Sequence, residues 1–182
     1  MATLGVITAR GGSKRFPGKN LAPFNGRPLI AWTILAAQHS RIDTLICSTD
    51  DEDINLTALA YGCRTLRRPD ELATDTAKCE DALRHALGIL PHDYVVLLQP
   101  TSPLRSAEDI NNCVRISTNR QQAVVTYCGG ELNGAVYVAP SEWILKHDFT
   151  APHVPYVMPW ERSLDINYQT DIDAFLSRHR PP

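Results

Sequence analysis

The sequence predicts a three-layer α/β fold in which a mostly parallel sheet carries helices on both faces. Two observations lead there. Short apolar runs rich in branched residues alternate with amphipathic stretches of helical length, which is the pattern of successive βαβ units. The first apolar run also opens into a glycine-rich loop, and in such sheets ligands bind beyond the carboxyl ends of the strands.

Leu4–Thr8 reads as the first buried strand, with Val6 and Ile7 β-branched. Pro28–Gln38 reads as a helix, Pro28 in its first turn and Leu29, Trp32, Ile34 and Leu35 forming its apolar stripe. Thr44–Ser48 is the second strand. Asp50 or Asp51 then caps a helix that runs through Ala60 and stops at Gly62. Arg64–Leu66 is a short strand, Lys78–Leu87 a helix ended by Gly88 and Pro91, and Tyr94–Gln99 an apolar strand stopped by Pro100. Ser106 caps a helix through Thr118; Ala123–Tyr127 and Ala135–Val138 are strands; Asp171–Arg178 closes the chain as a helix. The proline-rich stretch Ala151–Pro159 reads as extended and packed, because Tyr156, Val157 and Met158 need a surface to cover.

Composition bounds the function. The 182 residues fit one domain, 1–182, and a chain of this length builds a core without metal or disulfide support. Eighteen Lys+Arg against twenty Asp+Glu give a net charge of −2, which argues against coating nucleic acid. No apolar run approaches the ~20 residues of a membrane span. Met1–Arg10 has no basic start followed by a long apolar segment, so no secretory signal is expected and the cytoplasm is the expected location. Five cysteines without a C-x-x-C pair read as reduced and structural. The histidines at 39, 85, 92, 147, 153 and 179 lack metal-ligand spacing and read as surface or cap residues.

The loop Ala9–Asn20 carries the most chemistry. It holds three glycines, two arginines, two lysines and a serine, and no carboxylate. Glycines let backbone amides turn toward a ligand, and concentrated positive charge attracts a polyphosphate. It is neither a dinucleotide fingerprint nor a P-loop: five residues separate Gly12 from Gly18, and Asn20 stands where Ser or Thr would hold magnesium. Its composition and position point to a nucleoside triphosphate.

The segment Ile7–Asn20 resembles the signature loop of the acylneuraminate (CMP-sialic acid synthetase-type) cytidylyltransferases. Arg68–Ala77, Leu97–Arg105, Asn133–Val138 and Ser163–Asn167 resemble that family's later segments, in the same order and framing nearly the whole chain. The resemblance implies a three-layer Rossmann-like nucleotidyltransferase that moves CMP from CTP to an acidic sugar and releases pyrophosphate. It also implies that Ala9, Arg10, Gly11, Gly12, Ser13 and Lys19 surround the triphosphate. Asn20, Arg68, Ala77, Cys79 and Gln99 would position the cytidine, with Cys79 standing where the family commonly has serine. Lys19, Arg10 and Asp165 are the expected catalytic residues, Lys19 as a point charge near the α-phosphate. One arginine of the pair Arg67-Arg68 is expected to be merely solvated.

Asp165 and Asn167 are the expected Mg2+ ligands. In an extended segment, positions two apart share a face. The family typically shows two aspartates here; Asn167 keeps an oxygen but removes a charge, which lowers metal affinity. Asp50–Asp53 reads mainly as a helix start that favours carboxylates. The largest departure is a missing stretch. Cys128–Leu132 joins two strands where family members carry a few dozen residues that hold the acceptor carboxylate and form a dimer arm. Glu131 there would repel an acidic acceptor, and Arg105, Arg162 and Lys146 are the cations that could compensate. The expected partners are therefore CTP and an acidic small-molecule acceptor, with the chain a monomer or weak homodimer. The alternatives are a smaller acceptor such as a phosphonate, or a nucleotide-binding homologue without catalysis.

Overall fold

A computed structural model of the protein describes residues 1–178. His179 lies outside the described residues. Strand β1 spans Thr3–Thr8, followed after the basic loop by a small hairpin of β2 (Pro23–Phe24) and β3 (Arg27–Pro28). Then come α1 (Leu29–Gln38), β4 (Thr44–Thr49), α2 (Glu52–Ala60), β5 (Arg64–Arg67), α3 (Cys79–Ile89), β6 (Tyr94–Leu98) and α4 (Ala107–Arg120). The remainder is β7 (Val124–Cys128), β8 (Glu131–Pro140), α5 (Ser141–Ile144), β9 (Val154–Val157) and α6 (Gln169–Arg178).

Seven strands form one sheet in the order β5-β4-β1-β6-β8-β7-β9, and only β8 runs against the rest. Alternation along the strands divides the core into two layers. Ile7, Val96, Leu98 and Val136 face α1, α2 and α4 through Ile30, Ile34, Ala58, Ile110 and Cys113. Leu4, Val6, Val95 and Leu97 face α3 and α5 through Leu83, Ala86 and Ile144. The chain steps outward from β1 to β4 to β5, then returns to β6 on the other side of β1. That reversal opens a crevice at the carboxyl ends of β1 and β6.

A third apolar cluster sets the geometry of the site. Ala22, Phe24 and Leu29 pack with Ile166 and Ile172 of the C-terminal segment, and the Phe24 and Phe175 rings lie 5.0 Å apart. Ile166 is fully buried there, so its neighbours Asp165 and Asn167 turn together away from the core, at the foot of the basic loop.

Local chemistry explains most boundaries. Asp51, rather than Asp50, caps α2 by accepting from the Ile54 N–H at 2.9 Å. Ser106 caps α4 in a capping box with Asp109. Gly62 follows α2 with φ 74°, and Gly129 and Gly130 turn β7 into β8 with both φ positive, as a tight hairpin turn requires. Several expectations need correction. Helix α3 runs through Gly88 to Ile89, because Gly is tolerated near a helix end and Leu90 N–H still bonds Ala86 O. Strand β8 begins at Glu131, so Asn133 and Gly134 lie within it. The stretch around Pro155 is extended as expected and forms an edge strand, β9, where a missing N–H is harmless. His92 and His153 are half-buried and hydrogen-bonded, His153 Nε2 to the Tyr127 hydroxyl at 2.9 Å. Among the described residues no helix is long and apolar enough to cross a membrane. All five cysteines are unpaired.

Candidate functional site

The loop after β1 is held from beneath. Ala9 continues the strand, giving its N–H to Ser48 O at 3.1 Å, and its side chain is buried in the core. Gly11 N–H donates to Asp50 Oδ1 at 3.2 Å. A Cβ on Gly11 would lie 2.4 Å from Asp51 Oδ2 and 2.9 Å from Asp51 Cβ, so only glycine fits against the α2 cap. Asn20, buried, donates from Nδ2 to Arg10 O at 2.9 Å and closes the loop on itself. Gly18 adopts φ 69° before the single helical turn Lys19–Leu21.

Above this loop the crevice widens into a cavity of about 570 Å³. Of the sequence-predicted residues, Arg10, Ser13, Lys19, Asn20, Arg68, Ala77, Cys79 and Gln99 line it. Ala9, Gly11, Asp165 and Asn167 do not: Ala9 is core, Gly11 a spacer against Asp51, and Asp165 and Asn167 lie on the C-terminal segment outside the lining. Gly12 borders a shallower neighbouring hollow, where nothing lies within 4 Å of a Cβ added to it. Sequence reasoning missed Thr8, Lys14, Arg15, Thr74, Asp75 and Lys78, all of which line the cavity. Lys14 and Arg15 were visible as charges of the same loop; the others became neighbours only through the fold.

The cavity segregates charge. Among the residues that line it, Arg10, Lys14, Arg15, Lys19, Arg68 and Lys78 are cationic and Asp75 is the one carboxylate, although Lys78 pairs outward with Asp148 at 2.9 Å. Such a cleft concentrates anions. Burial pushes the Lys19 amine below its ordinary value; nearby Asp165 opposes this, and Arg15 and Arg10 reinforce it. Arg68 is 5% exposed and burial pulls its guanidinium down, while Arg67 points to solvent and pairs with Asp70 at 3.6 Å. Arg68 donates from Nε to Ser48 Oγ at 3.1 Å and from Nη2 to Ser48 O at 2.6 Å. The solvated member of the pair is Arg67.

At the inner end, Gln99 Nε2 lies 3.9 Å from Cys79 Sγ. Burial raises the Cys79 thiol, so it enters as a neutral, weak hydrogen-bonding group. Arg105 is not an acceptor-side cation. It is 3% exposed, burial lowers its guanidinium to about 9, and it donates to Gln99 O, Ser102 O and Thr33 Oγ1. Arg162 is also spent: its Nε and Nη2 hold the buried Asp109 carboxylate at 2.9 and 2.8 Å. Asp165 and Asn167 come together as their spacing predicts, the Asn167 amide donating to Asp165 Oδ2 at 2.6 Å. Ile166 N–H bonds Thr101 O at 2.8 Å, which ties this segment to the end of β6.

A family model described as cytidylyltransferase matches residues 4–176. The chain belongs to that family. An N-acylneuraminate cytidylyltransferase of Escherichia coli O18:K1:H7 is 31% identical over 214 aligned positions, covering 96% of this chain and 51% of the relative. A CMP-N,N'-diacetyllegionaminic acid synthase of Legionella pneumophila is 32% identical over 219 positions, covering 94% and 93%. The chain thus spans about half the length of the first cytidylyltransferase and nearly all of the second. Both alignments exceed the 182 residues of this chain, so both relatives carry residues that it lacks. Among solved structures, a CMP:2-keto-3-deoxy-manno-octonic acid synthetase complexed with CTP superposes with TM-score 0.81 at 13% identity, covering 98% of each chain. A manganese complex from Mycobacterium tuberculosis H37Rv superposes with TM-score 0.72 at 15% identity, covering 97% and 99%. These two show the α/β nucleotidyltransferase fold.

A divalent ion suits the donors at Asp165 and Asn167. Among the described residues no three His, Cys, Asp or Glu side chains converge, so none form an all-protein cage. One carboxylate beside one amide fits an ion that takes most of its ligands from phosphates and water.

Proposed function

We propose that this chain transfers CMP from CTP to an acidic sugar of the nonulosonic type and releases pyrophosphate. The observation that supports this most is the cationic cavity at the β1/β6 switch point, ending on Gln99 and Cys79. In this reading the acceptor hydroxyl forms the new bond to the α-phosphorus, and the bond to the bridging oxygen of pyrophosphate breaks. Arg10, Ser13 and the loop backbone from Gly12 onward hold the triphosphate, while Gly11, its N–H bonded to Asp50, supports the loop from beneath. Lys19 stands by the α-phosphate, where a partly desolvated ammonium stabilises developing charge more strongly than one in water. Asn20, Arg68, Ala77, Cys79 and Gln99 shape the nucleoside end.

Asp165, with Asn167, would hold Mg2+ bound to the phosphates, and the ion would neutralise charge on the phosphoryl oxygens. The Asn167 amide fixes the orientation of Asp165. Nothing but Gly129-Gly130 separates β7 from β8. The acceptor pocket and the dimer arm that the resemblance places there are therefore reduced, which favours a monomer or weak homodimer. It also keeps a smaller acidic acceptor, such as a phosphonate, in the test. Reduced, unpaired cysteines accord with the cytoplasm as the location.

The test is pyrophosphate release from CTP and Mg2+ with a panel of nonulosonic acids, other acidic sugars and phosphonates. Release with an acidic sugar supports the reading, and a phosphonate alone would move it to the smaller acceptor. CTP binding without pyrophosphate from any acceptor would leave a nucleotide-binding homologue. A Lys19→Ala variant as active as the wild type would remove that residue from its role.

A further inference from the structure

The one carboxylate among the described residues that line the cavity lies on its most useful cations. Asp75 Oδ1 is 2.8 Å from Arg10 Nη2, and Oδ2 meets Lys14 Nζ. Those are the donors that a phosphate would need. A phosphate oxygen on either donor would sit within a few ångströms of a carboxylate oxygen, and like charges that close exclude one another. Asp75 and the distal phosphates therefore compete for the same nitrogens.

Asp75 can yield cheaply. It is exposed, in the loop between the single turn Asp70–Leu72 and α3. The loop's own bonds are local: Ala77 N–H to Thr74 Oγ1 at 3.2 Å and the Thr74 and Thr76 hydroxyls at 3.4 Å. The one further tie from Arg10 into this loop is long, Nη1 to Ala73 O at 3.5 Å. Lys14 and Arg10 hold the Asp75 carboxyl below its ordinary range, so it stays an anion wherever the enzyme works.

We infer that Asp75 is an internal anion that sets the affinity for triphosphate and pyrophosphate by competing for Arg10 and Lys14. In the empty site it gives two flexible cations a fixed position. When distal phosphates arrive they must displace it, and after transfer its return helps to expel pyrophosphate. A nucleoside monophosphate, which places no phosphate on Arg10 or Lys14, gains nothing from its removal. The inference rests on the CTP reading above.

The experiment is calorimetric titration of CTP, pyrophosphate and CMP into the wild type, Asp75→Asn and Asp70→Asn. Asp70→Asn removes the same charge from the neighbouring turn, at a side chain 91% exposed and, among the described residues, paired only to Arg67. Exposed ion pairs are weak, so Asp75→Asn should bind CTP and pyrophosphate about threefold to tenfold more tightly. CMP affinity and the Asp70→Asn constants should stay within about twofold of the wild type. Asp75→Glu should restore wild-type constants. If the wild type binds CTP but Asp75→Asn binds it equally or less tightly, Asp75 supports Arg10 and does not compete with phosphate. If the wild type binds neither CTP nor pyrophosphate, the CTP reading fails and this inference falls with it.

Discussion

Replacing Gly11 and Gly12 by alanine, one at a time, should give opposite results although the residues are neighbours. At Gly11 the new methyl would lie 2.4 Å from Asp51 Oδ2, 2.9 Å from its Cβ and 3.0 Å from its Cγ. Rotating the carboxylate cannot relieve contacts with Cβ and Cγ, so the Asp51 side chain or the loop must move. Moving Asp51 breaks the α2 cap, its 2.9 Å bond from Ile54 N–H, at a cost of about 1 kcal/mol. Moving the loop instead breaks the Gly11 N–H bond to Asp50, worth about 1–2 kcal/mol for a bond to a charged acceptor. Either movement relieves the clash, so a loss of about 1–2 kcal/mol lowers Tm by roughly 2–8 °C for a chain of this size. At Gly12 nothing lies within 4 Å of the added methyl and φ is not positive. Gly12→Ala should therefore stay within about 0.5 kcal/mol of the wild type, or exceed it through a less mobile unfolded chain. Thermal and urea unfolding without nucleotide separates these outcomes from any effect on binding. Equal Tm values for the two variants would refute the claim that Gly11 is fixed by Asp51.

Arg68→Ala should lose about 2–3 kcal/mol of stability through its bonds to Ser48, and at least tenfold in CTP affinity. Arg67→Ala, altering an exposed side chain, should change stability by no more than about 0.5 kcal/mol; urea unfolding and calorimetry check both. Arg162→Ala leaves the Asp109 carboxylate buried without its partner and should cost about 2 kcal/mol at pH 7, discounted because Arg162 is 40% exposed. Burial alone would raise Asp109, but Arg162 and Ser106 more than offset it and hold the carboxyl below its ordinary value. The stability contributed is therefore full above the unfolded carboxyl value near pH ~4 and lost as pH falls through the lower folded value, so unfolding curves of wild type and variant should converge there. Cys79→Ser replaces a sulfur that accepts weakly from Gln99 Nε2 by a hydroxyl, a stronger acceptor and donor, and should tighten CTP severalfold in the same titration.

How much of this was legible beforehand depends on the range of the forces involved. Strand β1, helix α1 and the cap at Ser106 follow from local pattern and capping chemistry, and each lies within a residue or so of its expected place. The basic loop was legible because its charge and glycines are contiguous. Arg68 as the inward arginine was legible only through the resemblance; local pattern does not choose between Arg67 and Arg68, because the parity at the end of β5 is set by its register against β4. The dipeptide Asn25-Gly26 is a hairpin-turn signal, and both residues have positive φ, 46° and 81°. Arg105 offered no sequence sign of burial, since its acceptors are the Gln99 and Ser102 carbonyls, three to six residues earlier, and the Thr33 hydroxyl on α1, 72 residues away. Asp75 meets Arg10 across more than sixty residues, a contact that only the β5-β4-β1 ordering creates.

The central claim is that the cavity beside β1 and β6 takes CTP, and a calorimetric titration with CTP and Mg2+ tests it most directly. The account predicts one site per chain with micromolar affinity, weaker binding of UTP and ATP, and at least tenfold loss in Arg10→Ala. Absence of CTP binding, or an Arg10→Ala variant that binds CTP as tightly as the wild type, would contradict it.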